Sequence, residues 1–320
     1  MLGPYRPLVR GLFAAALLAA CSSGSSTTTE AAPSASGSPG PPPLGSFIAP
    51  SPTQPPQPKS PQPNPLGLPP RKIKLDPGRR VFTFSEPMLT NARIGSTLVL
   101  YAATAIGFDG DDLVIEGQSG GPSYKVHPGY VIPVPDNVKP KLNDAVLTEW
   151  NGVMKHAVVR RYVKDRIAVR YTDMEARAPE GLLKGVRWVK QVNGLEPGNY
   201  AAHRQEGEVR HVLLVSPFEG GFGAQDAGGD PKPRASTAGG MKRWFCLGFG
   251  GAALIADEAD LQPIPIKWKG KPGAVVWAEW AGTMRRAVMQ SETEPGIFTV
   301  KFERAGKPEV VGYGLIMDPL

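Results

Sequence analysis

The chain has 320 residues, a formal net charge of +7, 41% hydrophobic and 20% charged residues, and only two cysteines. That apolar fraction supports packed cores, and two cysteines exclude a disulfide framework as the source of stability. The basic balance suits either plain solubility or contact with anionic polymers and lipid head groups.

In chain order, the first element is an export signal. Arg6 and Arg10 precede the apolar run Gly11 to Ala20, which is too short to span the roughly 30 Å of hydrocarbon in a bilayer. Leu18-Ala19-Ala20-Cys21 follows, and Ser22 comes next. This junction resembles the lipobox of bacterial lipoproteins. The resemblance implies removal of residues 1–20, lipid on the Cys21 thiol and acylation of the new amino group. Several acyl chains suit a stable anchor, because one alone holds a membrane only marginally. In that family Asp after the cysteine marks inner-membrane retention, so Ser22 favours the outer membrane of the cell envelope. The expected partner there is the membrane itself, with cell-wall or other anionic polymer, or an envelope protein, as ligand rather than nucleic acid.

Residues 22–70 are dominated by Ser, Thr, Pro, Gly and Gln, with Glu30 and Lys59 as the only charges. Such a segment cannot bury enough apolar surface to offset ordering, so residues 21–70 are expected to be a lipidated, disordered stalk with polyproline stretches. At about 3.1 Å per residue its reach is on the order of 150 Å.

Beyond the stalk the chain repeats itself. Glu149-Trp150-Asn151-Gly152-Val153-Met154 returns as Glu279-Trp280-Ala281-Gly282-Thr283-Met284, 130 positions later. Pro133-Val134-Pro135 answers Pro263-Ile264-Pro265 at the same offset, and Val169-Arg170-Tyr171 answers Val300-Lys301-Phe302 after a slip of one. A second match, Tyr101-Ala102-Ala103 with Tyr200-Ala201-Ala202, has an offset of 99 and carries Leu113-Val114-Ile115 onto Val212-Leu213-Leu214. The difference predicts a Gly-rich surface insertion in the second copy at about 218–242. Two units are therefore expected, 71–192 and 193–320.

The units read as β. Ala145 to Trp150, His156 to Tyr162 and Arg166 to Tyr171 are short, rich in β-branched and aromatic residues, and separated by Asn151-Gly152 and Lys164-Asp165 turns. This meander resembles the Tudor and agenet class of SH3-like barrels over about forty residues per copy. The resemblance implies an all-β chain of tandem small barrels, with four barrels in two pairs if the Tyr-Ala-Ala blocks form barrels of their own. Members of that class hold methylated lysine or arginine in an aromatic cage. Trp150, Tyr171, Trp280 and Phe302 are the corresponding weak binding candidates, but Met154 and Met284 stand where an aromatic is usual, and core packing is the stronger reading of all four rings.

Catalytic signals are weak. Gly117-Gln118-Ser119-Gly120-Gly121 satisfies the Gly-x-Ser-x-Gly pattern, but the first histidine, His127, follows the serine, and Pro122 interrupts any helix after it. His203 and His211 flank Glu206 and Glu208 without zinc-type spacing and read as a polar exposed hairpin. Gly248-Phe249-Gly250-Gly251 lacks the strand-helix context of a dinucleotide fingerprint. Lys267-Trp268-Lys269-Gly270-Lys271 reads as a solvated loop, and Cys246 as a buried apolar residue. The expectation is a non-enzymatic binding or scaffold lipoprotein without metal or cofactor. The alternatives are an envelope hydrolase using Ser119 and a purely structural spacer.

Overall fold

The computed structural model describes residues 62–118, 120–134, 140–164, 166–172, 181–184, 189–190, 193–220, 240–303 and 305–320, with the backbone alone for 181–184 and 189–190. Cys21, the signal and the stalk up to residue 61 lie outside the described residues, as do Ser119 and most of the Gly-rich insertion. No helix among the described residues is long and apolar enough to cross a membrane.

The architecture is all-β and consists of four five-stranded antiparallel ladders. In the first, β1 (Arg79–Thr83), β2 (Tyr101–Asp109), β3 (Asp112–Gly117), β4 (Tyr124–Val126) and β5 (Ile132–Pro133) lie in the order β4-β3-β2-β1-β5. A short helix α1 (Glu86–Thr90) sits between β1 and β2, and a 3-10 turn, Pro128–Tyr130, precedes β5. The second ladder, β6 (Ala145–Trp150), β7 (Val153–Val163), β8 (Arg166–Tyr171), β9 (Gly181–Lys184) and β10 (Val189–Lys190), repeats the order as β9-β8-β7-β6-β10. The third comprises β11 (Tyr200–Gln205), β12 (Glu208–Glu219), β13 (Lys242–Leu247), β14 (Ala253–Asp257) and β15 (Leu261–Pro263), with a 3-10 turn, Glu258–Asp260, before its last strand. The fourth comprises β16 (Val275–Trp280), β17 (Thr283–Glu294), β18 (Ile297–Phe302), β19 (Glu309–Gly312) and β20 (Ile316–Met317).

In every ladder the fifth strand returns to pair with the first. Single bridges, Tyr101 to Val153 and Arg210 to Thr283, join the ladders in pairs and give two ten-stranded sheets, one for each unit expected from the sequence. Among the described residues the hydrogen bonding does not close any ladder into a complete barrel.

The strands form where the sequence alternates and stop where the turn chemistry demands. Asn151 and Gly152 have φ of 48° and 80°, and Ala281 and Gly282 have 49° and 85°. Two successive left-handed residues suit the twist of a two-residue hairpin, which is why glycine ends both copies of the turn.

Pairing registers correct part of the expected repeat. The 130 offset holds for the Glu-Trp hairpins, and the bulge at Val159/Arg161 returns at Met289/Ser291. The Tyr-Ala-Ala match at 99 is a coincidence of composition. β2 is equivalent to β12, not β11: the bridges equate Tyr101 with Arg210, and the bulge at Ala105/Gly107 returns at Leu214/Ser216. Both comparisons give an offset of 109. β1 is then the counterpart of β11, since Val81 faces Pro133 as Ala201 faces Pro263. The insertion does fall between β12 and β13, where the first copy has the short turn Gly110-Asp111. The first copy has its own elaboration, residues 84–100 with α1, where the second has only Glu206-Gly207.

The folded part also begins before residue 71. Leu66 and Leu68 are buried, Asn64 Oδ1 accepts from Leu68 N–H (2.9 Å), and the Tyr130 hydroxyl donates to Asn64 Oδ1 (2.9 Å) while accepting from Leu66 N–H (3.0 Å). Residues 63–68 thus belong to the fold, because two leucines and an asparagine clamp supply what the surrounding Pro-rich text lacks.

Cores run across the two copies. Phe84 and Tyr130 of the first meet Phe245 of the second at ring distances of 6.0 and 5.5 Å, all edge-on, and all three are fully buried. The buried Ser216 hydroxyl donates to Gly129 O at 2.6 Å, again across the copies. Ala145 and Val158 join the cluster around Val276, Phe298 and Ile316. The segment after α1 is stitched to the β13–β14 turn: Leu98 N–H donates to Gly251 O, Gly95 N–H to Ala253 O and Ala253 N–H to Ser96 O.

Candidate functional site

Where that stitched segment meets the second copy, the surface opens into a cavity of about 360 Å³. Its lining includes Leu98, Met154, Tyr200, Phe249, Glu279 and Leu315. The Gly248-Phe249-Gly250-Gly251 run, which reads as no nucleotide motif, forms one rim; Gly250 has φ of 65° and Phe249 is 68% exposed.

Two lining rings, Tyr200 and His211, lie 4.2 Å apart and tilted by 41°, and His156, outside the lining, stacks on Tyr200 at 4.2 Å. His156 Nε2 donates to Gly198 O (2.7 Å) and His211 Nε2 to Gly314 O (2.9 Å), since a carbonyl oxygen can only accept. Burial lowers the pKa of His211, against the opposing pull of the Gly314 carbonyl and the Glu279 charge. The hairpin tip from Arg204 to Glu208 is exposed, as expected, but the histidines flanking it are not: His211 lines the cavity and is half-buried, and His203 is buried with Nδ1 unbonded among the described residues.

Glu279 closes the site at the end of β16. Its Oε1 accepts from the Gly282 N–H at 2.7 Å, and among the described residues no lysine or arginine pairs with it. The equivalent position in the first copy is different. Glu149 receives Arg80 through Nη2 at 2.9 and 3.2 Å and Gln118 Nε2 at 3.0 Å. Tyr200 stands where Arg80 does: Val134 N–H donates to Arg80 O, as Ile264 N–H donates to Tyr200 O, both at 3.1 Å. Phe249 stands where Gln118 does, since a Cβ on Gly152 would strike Gln118 and one on Gly282 would strike Phe249. The same strand-end glutamate is thus plugged by a guanidinium in one copy and left open, beside rings, in the other.

The aromatic candidates from the sequence lie elsewhere. Trp150 meets Tyr171 edge-on at 5.4 Å, and Trp280 meets Phe302 at 4.5 Å. Tyr171 and Phe302 are buried and the tryptophans half-buried, so the pairs pack the interior of the second and fourth ladders. The 267–271 segment is a loop before β16 with Lys267, Lys269, Gly270 and Lys271 exposed, as expected, but Trp268 within it is buried with Nε1 donating to Asp318, and Lys267 pairs with Asp144 at 2.8 Å. Cys246 is fully buried and its thiol pKa is pushed up by desolvation. His127, the histidine nearest Ser119 in sequence, is buried with Nδ1 accepting from Gly129 N–H. Among the described residues no three His, Cys, Asp or Glu side chains gather as a metal site.

Sequence reasoning passed over Glu279, Tyr200 and Phe249. Glu279 looks identical to its partner Glu149 in the repeat, and the Arg-to-Tyr and Gln-to-Phe exchanges appear only under the correct strand equivalence. The chain matches no known protein-family model and no curated protein.

Proposed function

We propose that the folded part is a non-enzymatic binding module of a lipid-anchored envelope protein, built from SH3-like units in two duplicated pairs and held away from the membrane by its Pro-rich segment. The five-strand order with a returning last strand, and the 3-10 turn before that strand in the first and third ladders, support the SH3-like reading. The observation that carries the binding function is the open cavity lined by rings and by a carboxylate that no lysine or arginine pairs with among the described residues.

Two measurements test the proposal. Mass spectrometry of the mature protein should find an N-terminus at Cys21 carrying acyl chains, and Cys21→Ala should remain unprocessed; an unmodified N-terminus defeats the anchoring. The purified full chain should retain a component of envelope fractions at low salt. Recovery of nothing at low and at high salt defeats the binding role.

A further inference from the structure

We infer that the cavity beside Glu279 recognises an arginine side chain presented by an extended segment of a partner protein. The inference deepens the binding role and rests on it. Its basis is internal: the first copy shows what the same backbone accepts at this position, a guanidinium, with Arg80 on the Glu149 carboxylate at 2.9 and 3.2 Å. In the second copy the residue that would supply that group is Tyr200, and among the described residues the carboxylate is hydrogen-bonded by the Gly282 N–H and pairs with no lysine or arginine.

The surroundings suit a guanidinium better than an ammonium. A planar cation donates a fork of N–H groups to a carboxylate while stacking on a ring, whereas a lysine ammonium is a hydrated point charge. Tyr200 already packs against His156 and His211, so it serves as a wall. Phe249, 68% exposed at the rim where Gln118 stands in the first copy, supplies the ring face. Leu98, Met154 and Leu315 give an apolar lining for the methylene stem. The site differs from the Trp150–Tyr171 and Trp280–Phe302 pairs, whose inner rings are buried.

The test is a titration of the full chain, carrying 13C-methyl methionine, with Nα-acetyl-arginine amide, Nα-acetyl-lysine amide and Nα-acetyl-citrulline amide. Met154 lines the cavity, and Met284, its counterpart in the repeat, is buried outside the lining and serves as reference. Arginine amide should move the Met154 methyl saturably with a Kd of roughly millimolar order, as a single side chain allows. Citrulline, the neutral isostere, should bind at least about tenfold more weakly, and lysine should fall between. Glu279→Gln keeps an acceptor for Gly282 and should weaken arginine by about tenfold or more. Phe249→Ala removes an exposed ring without touching a core and should weaken it about two- to fivefold.

Equal binding of citrulline, an unchanged affinity in Glu279→Gln, or a Met154 methyl that stays still overturns the inference. The two proposals fail separately. Capture from envelope fractions that neither Glu279→Gln nor added arginine amide disturbs leaves the binding role and removes the arginine site; saturable arginine binding without capture does the reverse.

Discussion

If a strand-end glutamate in this fold requires a cation, the requirement is measurable in the first copy, where the cation is built in. Arg80→Leu leaves Glu149, whose side chain is only 14% exposed, with Gln118 as its remaining side-chain donor. An exposed ion pair contributes about 0.2–1 kcal/mol. A fully buried carboxylate deprived of its partner costs about 3–5 kcal/mol. Exposures of 24% for Arg80 and 14% for Glu149 put this pair between those limits, so Arg80→Leu should cost about 2 kcal/mol. Glu149→Gln should cost less, because the amide oxygen still accepts from the guanidinium. Adding Glu149→Gln to Arg80→Leu should recover about 1 kcal/mol or more, a coupling that urea unfolding of the four proteins in a double-mutant cycle resolves. Costs that add to within roughly 0.5 kcal/mol mean the pair is energetically inert. Glu149 would then have no need of Arg80, and the case for Glu279 seeking a cation would lose its premise.

Four further outcomes are expected. Ala281→Asn places at the left-handed turn position the residue the first copy already uses, and should raise stability by about 0.5–1 kcal/mol in thermal or urea unfolding. Phe245→Ala should cost about 3–5 kcal/mol and, because its ring belongs to both copies, should lower a single unfolding transition rather than split it in two. Leu68→Ala should cost about 2–5 kcal/mol, although residue 68 lies in what composition assigns to the stalk; a neutral result would detach that segment from the fold. Burial lowers the pKa of His127, His203 and His211, so the unfolded chain takes up protons first as pH falls below about 6.5. Stability should therefore be complete above that pH and decline as the pH falls below it, by up to about 1.4 kcal/mol per pH unit for each histidine that stays neutral. A Tm that stays flat below that pH contradicts the assignment.

The β class, the division of the strands into two sheets, the Glu-Trp-x-Gly hairpins and the position of the insertion were all legible in the residues. Each rests on a strong local signal: alternation, a glycine where φ is positive, or many adjacent identities. The failure at Tyr-Ala-Ala has a specific cause. Strands with period-two alternation resemble one another in many registers, and small buried residues such as Ala102 and Ala201 recur in them. Only the bridge and bulge positions, Tyr101 with Arg210 and Ala105 with Leu214, distinguish the true equivalence. The segment 63–68 was missed because two leucines are invisible against many prolines until Tyr130 is known to reach Asn64. The site was missed because its parts come from β2's flank, β7, β11, β12, the β13–β14 turn and β16, which no sequence window holds together.

Arg80 and Tyr200 occupy equivalent positions in one polypeptide. An assembly of two identical subunits could not have this arrangement, since a single gene would place arginine in both sites or tyrosine in both. Covalent duplication removes that constraint: one half can keep a self-satisfied charge that holds it rigid, while its twin is released to look outward. The stitching of residues 95–98 to Gly251 and Ala253 then makes the division permanent, because neither half can be exchanged for the other.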